Sequence, residues 1–383
     1  MSHHSTVFGQ FLQLVPRHEF EALAKAHHVG APLRRMTRFS QFVALSTAHL
    51  AERHSLRDVV SNLAAQGPRL YHLGARPVTR TSLARVNEEQ PYTLYEALFG
   101  KLYERCRRLA PRHGFRFKNK LYSLDSSLID LSLKVFPWAH YALGKAAMKL
   151  HVGLDHDGLL PGFAVVTESR VYDGDGARGF AFPKGSITVF DKGYSDYAWF
   201  KSLDDRGVFF VTRARSNIDV DPVEERPVSP EGNVVFDRTV ALAGKRPQAM
   251  RMKSLRLVGY VCPETGRDYV FLTNIKHLCA QTIADIYKSR WQIELFFKWL
   301  KQNLKLKGFL GTSKNAVLSQ IWAALCVCLL LAYLKFASRI ELSLQHMARL
   351  LQLNLFIKRD ILALLTNRQP PPQHPSTQWA LQL

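Results

Sequence analysis

Ser186-Ile187-Thr188-Val189-Phe190-Asp191-Lys192-Gly193-Tyr194, then Tyr197-Ala198-Trp199-Phe200-Lys201-Ser202-Leu203-Asp204-Asp205, then Val208-Phe209-Phe210-Val211-Thr212-Arg213, are the three runs that decide the fold. The first and last are short, apolar and rich in β-branched and aromatic residues, which predicts strands at Ser186–Asp191 and Val208–Arg213. Between them the pattern predicts a helix over Tyr197–Asp205. Further strands are predicted upstream at Leu121–Asp125, Lys149–Leu154 and Gly162–Glu168. Strands followed by a strand–helix–strand unit imply an α/β sheet with mixed pairing.

Working outward, the period changes on both sides. From Phe8 to about Arg108 apolar residues recur at helical spacing (Phe11, Leu12, Val15; Phe39, Phe42, Val43; Leu94, Leu98, Leu102). Gly and Pro interrupt at Gly30–Pro32, Gly67–Pro68 and Gly74–Pro77, and Thr79-Arg80-Thr81-Ser82 places cap-forming residues before a new helix. Residues 1–115 are therefore expected to form an all-helical module, and residues 116–345 the α/β domain. Within that domain about 214–277 reads as a β-rich insertion, with Asn233–Phe236, Leu255–Val261 and Tyr269–Leu272 alternating with turns. One long helix is expected from about Ala280 to Asn303, and an apolar one over Ile321–Leu334. Residues 346–383 form a C-terminal segment, whose Pro370-Pro371-Pro372 run predicts a poorly ordered tail.

The chain of 383 residues carries a formal charge of +21 with 47% hydrophobic and 22% charged residues. That balance is globular, and the positive field favours polyanionic partners, nucleic acid before anionic membrane or ribosomal RNA. Residues 1–120 hold 19 Lys and Arg against 8 Asp and Glu, or +11. The start, Met1-Ser2-His3-His4, lacks the basic-then-apolar pattern of a signal peptide. Ile321–Leu334 falls short of the roughly 20 residues that span a bilayer, so a buried helix and no membrane contact are expected. Cys106, Cys262, Cys279, Cys326 and Cys328 have no zinc or redox spacing, and read as reduced core residues of a cytosolic protein.

Three carboxylates stand out. Asp125 and Asp191 each end an apolar strand, and in open α/β sheets strand ends face the crevice where ligands bind. A divalent cation offsets the cost of burying such a charge; a turn or cap after a strand is the plainer reading of either Asp alone. Glu294 lies in Tyr287-Lys288-Ser289-Arg290-Trp291-Gln292-Ile293-Glu294-Leu295-Phe296-Phe297-Lys298-Trp299-Leu300-Lys301. At about 100° per residue, Tyr287, Arg290, Glu294, Lys298 and Lys301 share a stripe about 80° wide. A Glu294–Lys298 surface pair explains part of that stripe. An aromatic, a guanidinium and a carboxylate together, flanked by Lys305, Lys307 and Lys314, suit a shared metal and phosphate site better.

The spacing Tyr287, Arg290, Glu294, Lys301 resembles the Y-R-E-K signature of bacterial insertion-sequence transposases of family four, the branch containing the transposon-five transposase. Phe309-Leu310-Gly311-Thr312-Ser313 after that helix, Val189–Tyr194 around the second Asp and Leu124-Asp125-Ser126-Ser127 around the first are similar to the same family. Lys149-Leu150-His151 sits where it has a strand. Ser127 departs from it, where Thr is common. The resemblance implies an RNase H-like catalytic core with a β-rich insertion before the last catalytic helix, behind a helical DNA-binding module. It implies that Asp125, Asp191 and Glu294 are catalytic and hold two Mg²⁺ ions, about 3.5–4 Å apart and replaceable by Mn²⁺, for in-line phosphoryl transfer. Tyr287, Arg290, Lys298 and Lys301 would contact DNA phosphates. Trp291 would stack on a base or else pack beneath the insertion.

The expected activity is cleavage and joining of an element's terminal inverted repeats to target DNA, with hairpin ends as one route. The expected setting is a homodimer on double-stranded DNA in the bacterial cytoplasm, at the nucleoid. A non-catalytic repressor and a hydrolysis-only nuclease of the same fold are the competing readings. Asp173-Gly174-Asp175-Gly176 reads as a turn, Asp155-His156-Asp157-Gly158 as a hairpin turn whose Asp155 could approach the metals, and His151 as structural. There is no phosphate-cradling Gly-Lys-Ser/Thr loop and no Gly-x-Ser-x-Gly elbow.

Overall fold

Alternation along β1 (Leu121–Leu131) assigns its two faces. Leu121 joins an apolar cluster with Ile187, Val189 and Val211, whereas Tyr122 and Leu124 join another with Phe190 and Phe210. The computed structural model describes residues 5–366 except 143–144, 230, 244–252, 305 and 307. Lys305, Lys307 and the proline run therefore lie outside the described residues.

Ten strands form one mixed sheet. β2 (His140–Ala142), β3 (Lys145–Asp155) and β4 (Leu160–Glu168) continue from β1, with β3 antiparallel to β1 on one side and to β2 and β4 on the other. β5 (Ile187–Phe190) lies parallel to β1, and β6 (Phe209–Arg213) parallel to β5. β7 (Val220–Glu225), β8 (Val234–Leu242), β9 (Leu255–Val261) and β10 (Asp268–Thr273) extend the β6 edge as antiparallel neighbours, in the order β6-β10-β9-β8-β7. The segment around 214–277 thus adds strands to the main sheet. Outermost β7 was not foreseen; Pro222 sits at its register shift, where a missing N–H does least harm.

Six helices precede the sheet: α1 (Val7–Leu12), α2 (Arg17–Ala26), α3 (Arg38–Leu50), α4 (Leu56–Ala65), α5 (Arg80–Glu89) and α6 (Thr93–Arg107). Thr37, Ser55 and Thr79 cap α3, α4 and α5 through their side-chain oxygens, satisfying amides the helix cannot. α7 (Asp173–Arg178) and α8 (Tyr197–Asp205) follow β4 and β5. α8, with Trp199, Phe200 and Leu203, covers the Tyr122–Phe190 face. α9 (Ala280–Ser289) covers the opposite one through Ile283, Ala284 and Ile286.

The expected long helix is two. α9 ends at Ser289 and α10 (Trp291–Asn303) begins after Arg290. The Arg290 amide donates to the Tyr287 carbonyl three residues back, at 3.1 Å, a tightened turn that interrupts the α-helical ladder. The apolar helix is longer than expected. α11 (Lys314–Ala337) has 24 residues and passes a length test for crossing a membrane, but 94% of its most apolar window is buried. It is enclosed by α3, α5 and α6, then by α12 (Leu344–Asn354), and α13 (Ile361–Leu365) follows α12.

The N-terminal helices and α11 therefore share one core. Phe99 packs edge-on against Trp322 at 5.3 Å. His49 sets its two ring nitrogens 2.7 and 3.0 Å from the carbonyls of Leu304 and Gln320, one of which accepts its N–H, and burial holds its pKa below the usual imidazole range. α1 is tied to the C-terminal segment, where Val7 and Phe8 donate to Ile357 and Leu355. The five cysteines are free, but only Cys106, Cys326 and Cys328 are buried; Cys279 is exposed and Cys262 half-buried.

Candidate active site beside two parallel strands

Parallel pairing of β1 with β5 sets Leu121 level with Ile187, Tyr122 with Thr188 and Ser123 with Val189. Asp125 does not end its strand as expected, because β1 runs on to Leu131 where β3 continues to pair with it; extending the β1–β5 offset by two residues sets it beside Asp191, the residue after β5. Adjacent strands lie about 4.8 Å apart and their side chains repeat every second residue. Both carboxylates therefore leave the sheet on the Leu121–Val189 face, the one α9 covers.

The α9–α10 junction reaches them from that face. Tyr287 Oη donates to Asp191 Oδ1 at 3.0 Å, and its ring rests on Phe271 at 4.8 Å. Arg290 Nη2 donates to Glu294 Oε1 at 2.7 Å, and Nη1 lies 3.7 Å from Asp125 Oδ2. One guanidinium thus spans the first and third carboxylates, while one phenol holds the second. Arg290 is mostly buried, and its Nε has no acceptor.

Burial pushes the Asp125 carboxyl up to about 6; the Ser126 amide and Arg290 favour its ionised form, whereas Glu294 and Asp173 oppose it. Burial, then the Asp191 charge, likewise raises the Tyr287 phenol and keeps it a donor. These carboxylates are hard oxygen donors of the kind Mg²⁺ takes, and Arg290 already places a positive charge between two of them. The donor set fits a divalent ion. Among the described residues, however, no group of three or more His, Cys, Asp or Glu is gathered tightly enough to hold one. Instead Tyr287 holds Asp191, and Arg290 links Asp125 with Glu294.

Other expected residues fall in different places. Trp291 is 57% exposed, so it does not pack beneath the β-rich segment. Lys298 is exposed and Lys301 half-buried further along α10. Asp155 pairs across the sheet with Tyr122, three residues before Asp125, or about 10 Å along the strand. It is fully buried, accepting from Tyr103 and Lys120, so it does not approach the site. His151 is buried, bonded to Thr167 at 2.9 Å and held down to about 4 by burial.

The sequence reading missed the polar group on the reverse face of β1. Ser126 Oγ donates to Asp173 Oδ1 at 2.7 Å, and Lys149 Nζ pairs with the same oxygen at 2.9 Å. Asp173 opens helix α7, not a turn. Its glycines hid that helix, yet a Cβ on Gly176 would lie 2.4–2.6 Å from the His151 ring. The available signal was parity: Ser126 and His151 are directly paired and share a face.

With that geometry in place, residues 117–331 match the family described as transposase DDE domain. The chain belongs to that family. Residues 3–76 of this transposase-family chain match a domain of unknown function, DUF4372. A Sinorhizobium fredii protein named as a transposase is 35% identical over 82% of this chain and 85% of its own length. A Geobacillus stearothermophilus protein named as a transposase for insertion sequence element IS5377 is 30% identical over 66% of this chain and 67% of its own. A solved piggyBac transposase synaptic complex with hairpin DNA aligns with 96% of this chain and 81% of its own, at 13% identity and TM-score 0.44. That likeness is too slight to assign a fold.

Proposed function

We propose that this chain binds the terminal inverted repeats of an insertion sequence and catalyses metal-dependent cleavage and transfer of its DNA ends, with Asp125, Asp191 and Glu294 as catalytic carboxylates. The observation that carries the reading is the parallel register of β1 and β5, whose extension by two residues sets Asp125 beside Asp191, with Glu294 linked to Asp125 through Arg290. The three carboxylates would hold Mg²⁺, or Mn²⁺ in its place; when bound, the metal would activate a water or 3′-hydroxyl and stabilise the leaving oxygen. The chain's own groups then orient the DNA. A buried donor without an acceptor needs an explanation, and a phosphate beside α10 would give Arg290 Nε its partner in bidentate geometry. Tyr287, Lys298 and Lys301 would extend that phosphate contact, and exposed Trp291 would meet an unpaired base.

The strand order β4-β3-β1-β5-β6, three antiparallel strands followed by two parallel ones, supports an RNase H-like core within residues 116–345. The Tyr287–Asp191 and Arg290–Glu294 contacts support the Y-R-E-K branch. Residues 1–115 would read the repeats, and pairing two ends calls for a homodimer at the bacterial nucleoid. Because α11 is enclosed by those helices, charge reversal at exposed Arg34, Arg35 and Arg57 tests that role better than deletion. It should weaken end binding and make its log–log salt slope shallower by about one for each phosphate no longer neutralised.

The deciding experiment uses purified protein, Mg²⁺ or Mn²⁺ and a labelled duplex of the terminal repeat taken from DNA flanking the gene. Wild type should nick or join at the end. Asp125→Ala, Asp191→Ala and Glu294→Ala should bind the duplex and leave it intact. Binding without cleavage by wild type would favour a repressor, hydrolysis without joining a nuclease, and cleavage by the mutants would mean the carboxylates are misassigned.

A further inference from the structure

The start of α7 touches the residues that follow both aspartates. Tyr172 Oη donates to the Gly193 carbonyl, two residues after Asp191. Asp173 accepts from Ser126, the residue after Asp125. Adjacent residues of one segment therefore grip the residue after Asp125 within β1 and the turn after Asp191 beyond β5. We propose that Tyr172 and Asp173 act as a brace that sets the separation and orientation of Asp125 and Asp191, making Tyr172, Asp173 and Ser126 positioning residues for a divalent ion at that pair. The proposal rests on the metal-binding reading of the two aspartates and goes beyond it by assigning what holds them in register.

Three observations support the brace. The Ser126 amide donates to Asp125 Oδ1 at 2.8 Å, so fixing Ser126 fixes the orientation of the carboxylate before it. Asp173 is itself anchored, because Lys149 Nζ binds its Oδ1 and also donates to the Val171 carbonyl, each at 2.9 Å. α7 is seated against β3, where Gly176 abuts the buried His151 ring. The brace therefore stands on a rigid strand. Groups that orient a ligand from behind commonly matter about 10–100-fold in metal affinity.

The test is Mn²⁺ binding followed by electron paramagnetic resonance on the full chain without DNA, with nicking measured on the same preparations. Ser126→Ala removes one oxygen and Tyr172→Phe one hydroxyl from a side chain 45% exposed; neither leaves Lys149 unpaired. Each should weaken Mn²⁺ binding about tenfold and lower kcat for nicking, leaving the melting temperature and duplex affinity at wild-type values. Ser126→Thr keeps the donor and should restore binding to within twofold. Asp173→Asn should act like Ser126→Ala; if that variant fails to fold, the other two carry the test. Mn²⁺ affinities within twofold of wild type for both Ser126→Ala and Tyr172→Phe would overturn the brace. Failure of Ser126→Thr to restore binding would do so too. Wild type that binds Mn²⁺ but cuts no DNA would sink the transposition reading and leave the brace judged on binding alone. Wild type that binds no Mn²⁺ would overturn both.

Discussion

The buried carboxylate at position 125 should make the metal-free protein less stable than a variant without its charge. Its carboxyl titrates near 6 in the fold against 3.8 in the free side chain. At 1.36 kcal/mol per pKa unit, ionised Asp125 costs the native state about 3 kcal/mol. Because the folded pKa is the higher one, the native state binds more protons between pH 3.8 and 6, so stability falls as pH rises through that window. Asp125→Asn mimics the protonated form and escapes the cost. Unfolding entropy of about 2.1 cal/mol/K per residue, over 383 residues, gives roughly 0.8 kcal/mol per degree, so the variant should melt about 4 °C higher. The assay is calorimetry in EDTA at pH 4 and pH 7.5. The gap should be near zero at pH 4 and full at pH 7.5, and Mn²⁺ should raise the wild type alone. A variant that melts at or below wild type at pH 7.5, or a gap equal at both values, would refute the reasoning.

Other expectations follow from burial. Leu325, inaccessible at the centre of α11, should cost about 2–5 kcal/mol as Leu325→Ala, read by urea unfolding of the whole chain. Asp237 and Arg256 form a nearly inaccessible bidentate pair at 2.7 and 2.6 Å between β8 and β9. Asp237→Asn should cost roughly 3–5 kcal/mol in the same assay, whereas replacing both residues with apolar ones should be close to neutral. Trp291→Ala should leave stability within about 0.5 kcal/mol but remove about 1–3 kcal/mol of base stacking, measured as weaker binding to a terminal-repeat duplex with an unpaired base.

Period and parity explain what could be read beforehand. α8 was legible from Tyr197 to Asp205 because an apolar stripe lies between two compact strands, and β5 and β6 because each is short and bounded by turns. The site residues could be singled out as carboxylates after apolar runs and as a helical stripe, although only Asp191 follows a strand end and Asp125 lies inside β1. That Asp125 and Asp191 stand level is a matter of pairing register, which local pattern does not encode. The break at Arg290 was hidden because its conformation remains helical and only its hydrogen bond tightens. α7 was missed because Gly174 and Gly176 lower helix propensity, whereas contact with His151 demands a glycine at 176. The enclosure of α11 by much earlier helices, as in the Cys326–Tyr95 contact across 231 residues, is long-range packing that a division at residue 115 conceals.

The closure of α1 onto residues 355–361 has a consequence for synthesis. Gln10 donates to the Arg359 carbonyl and accepts from the Ile361 amide, so α1 waits for a segment about 350 residues further along. At about 5–20 residues per second, that wait is roughly 20–70 s on the ribosome. The apolar faces of the early helices must be shielded meanwhile by each other or by chaperones. A chain truncated before residue 314 would lack α11 altogether and leave those faces open. A prematurely stopped copy of the gene should therefore yield an aggregating fragment, and no free-standing DNA binder to compete with the intact protein.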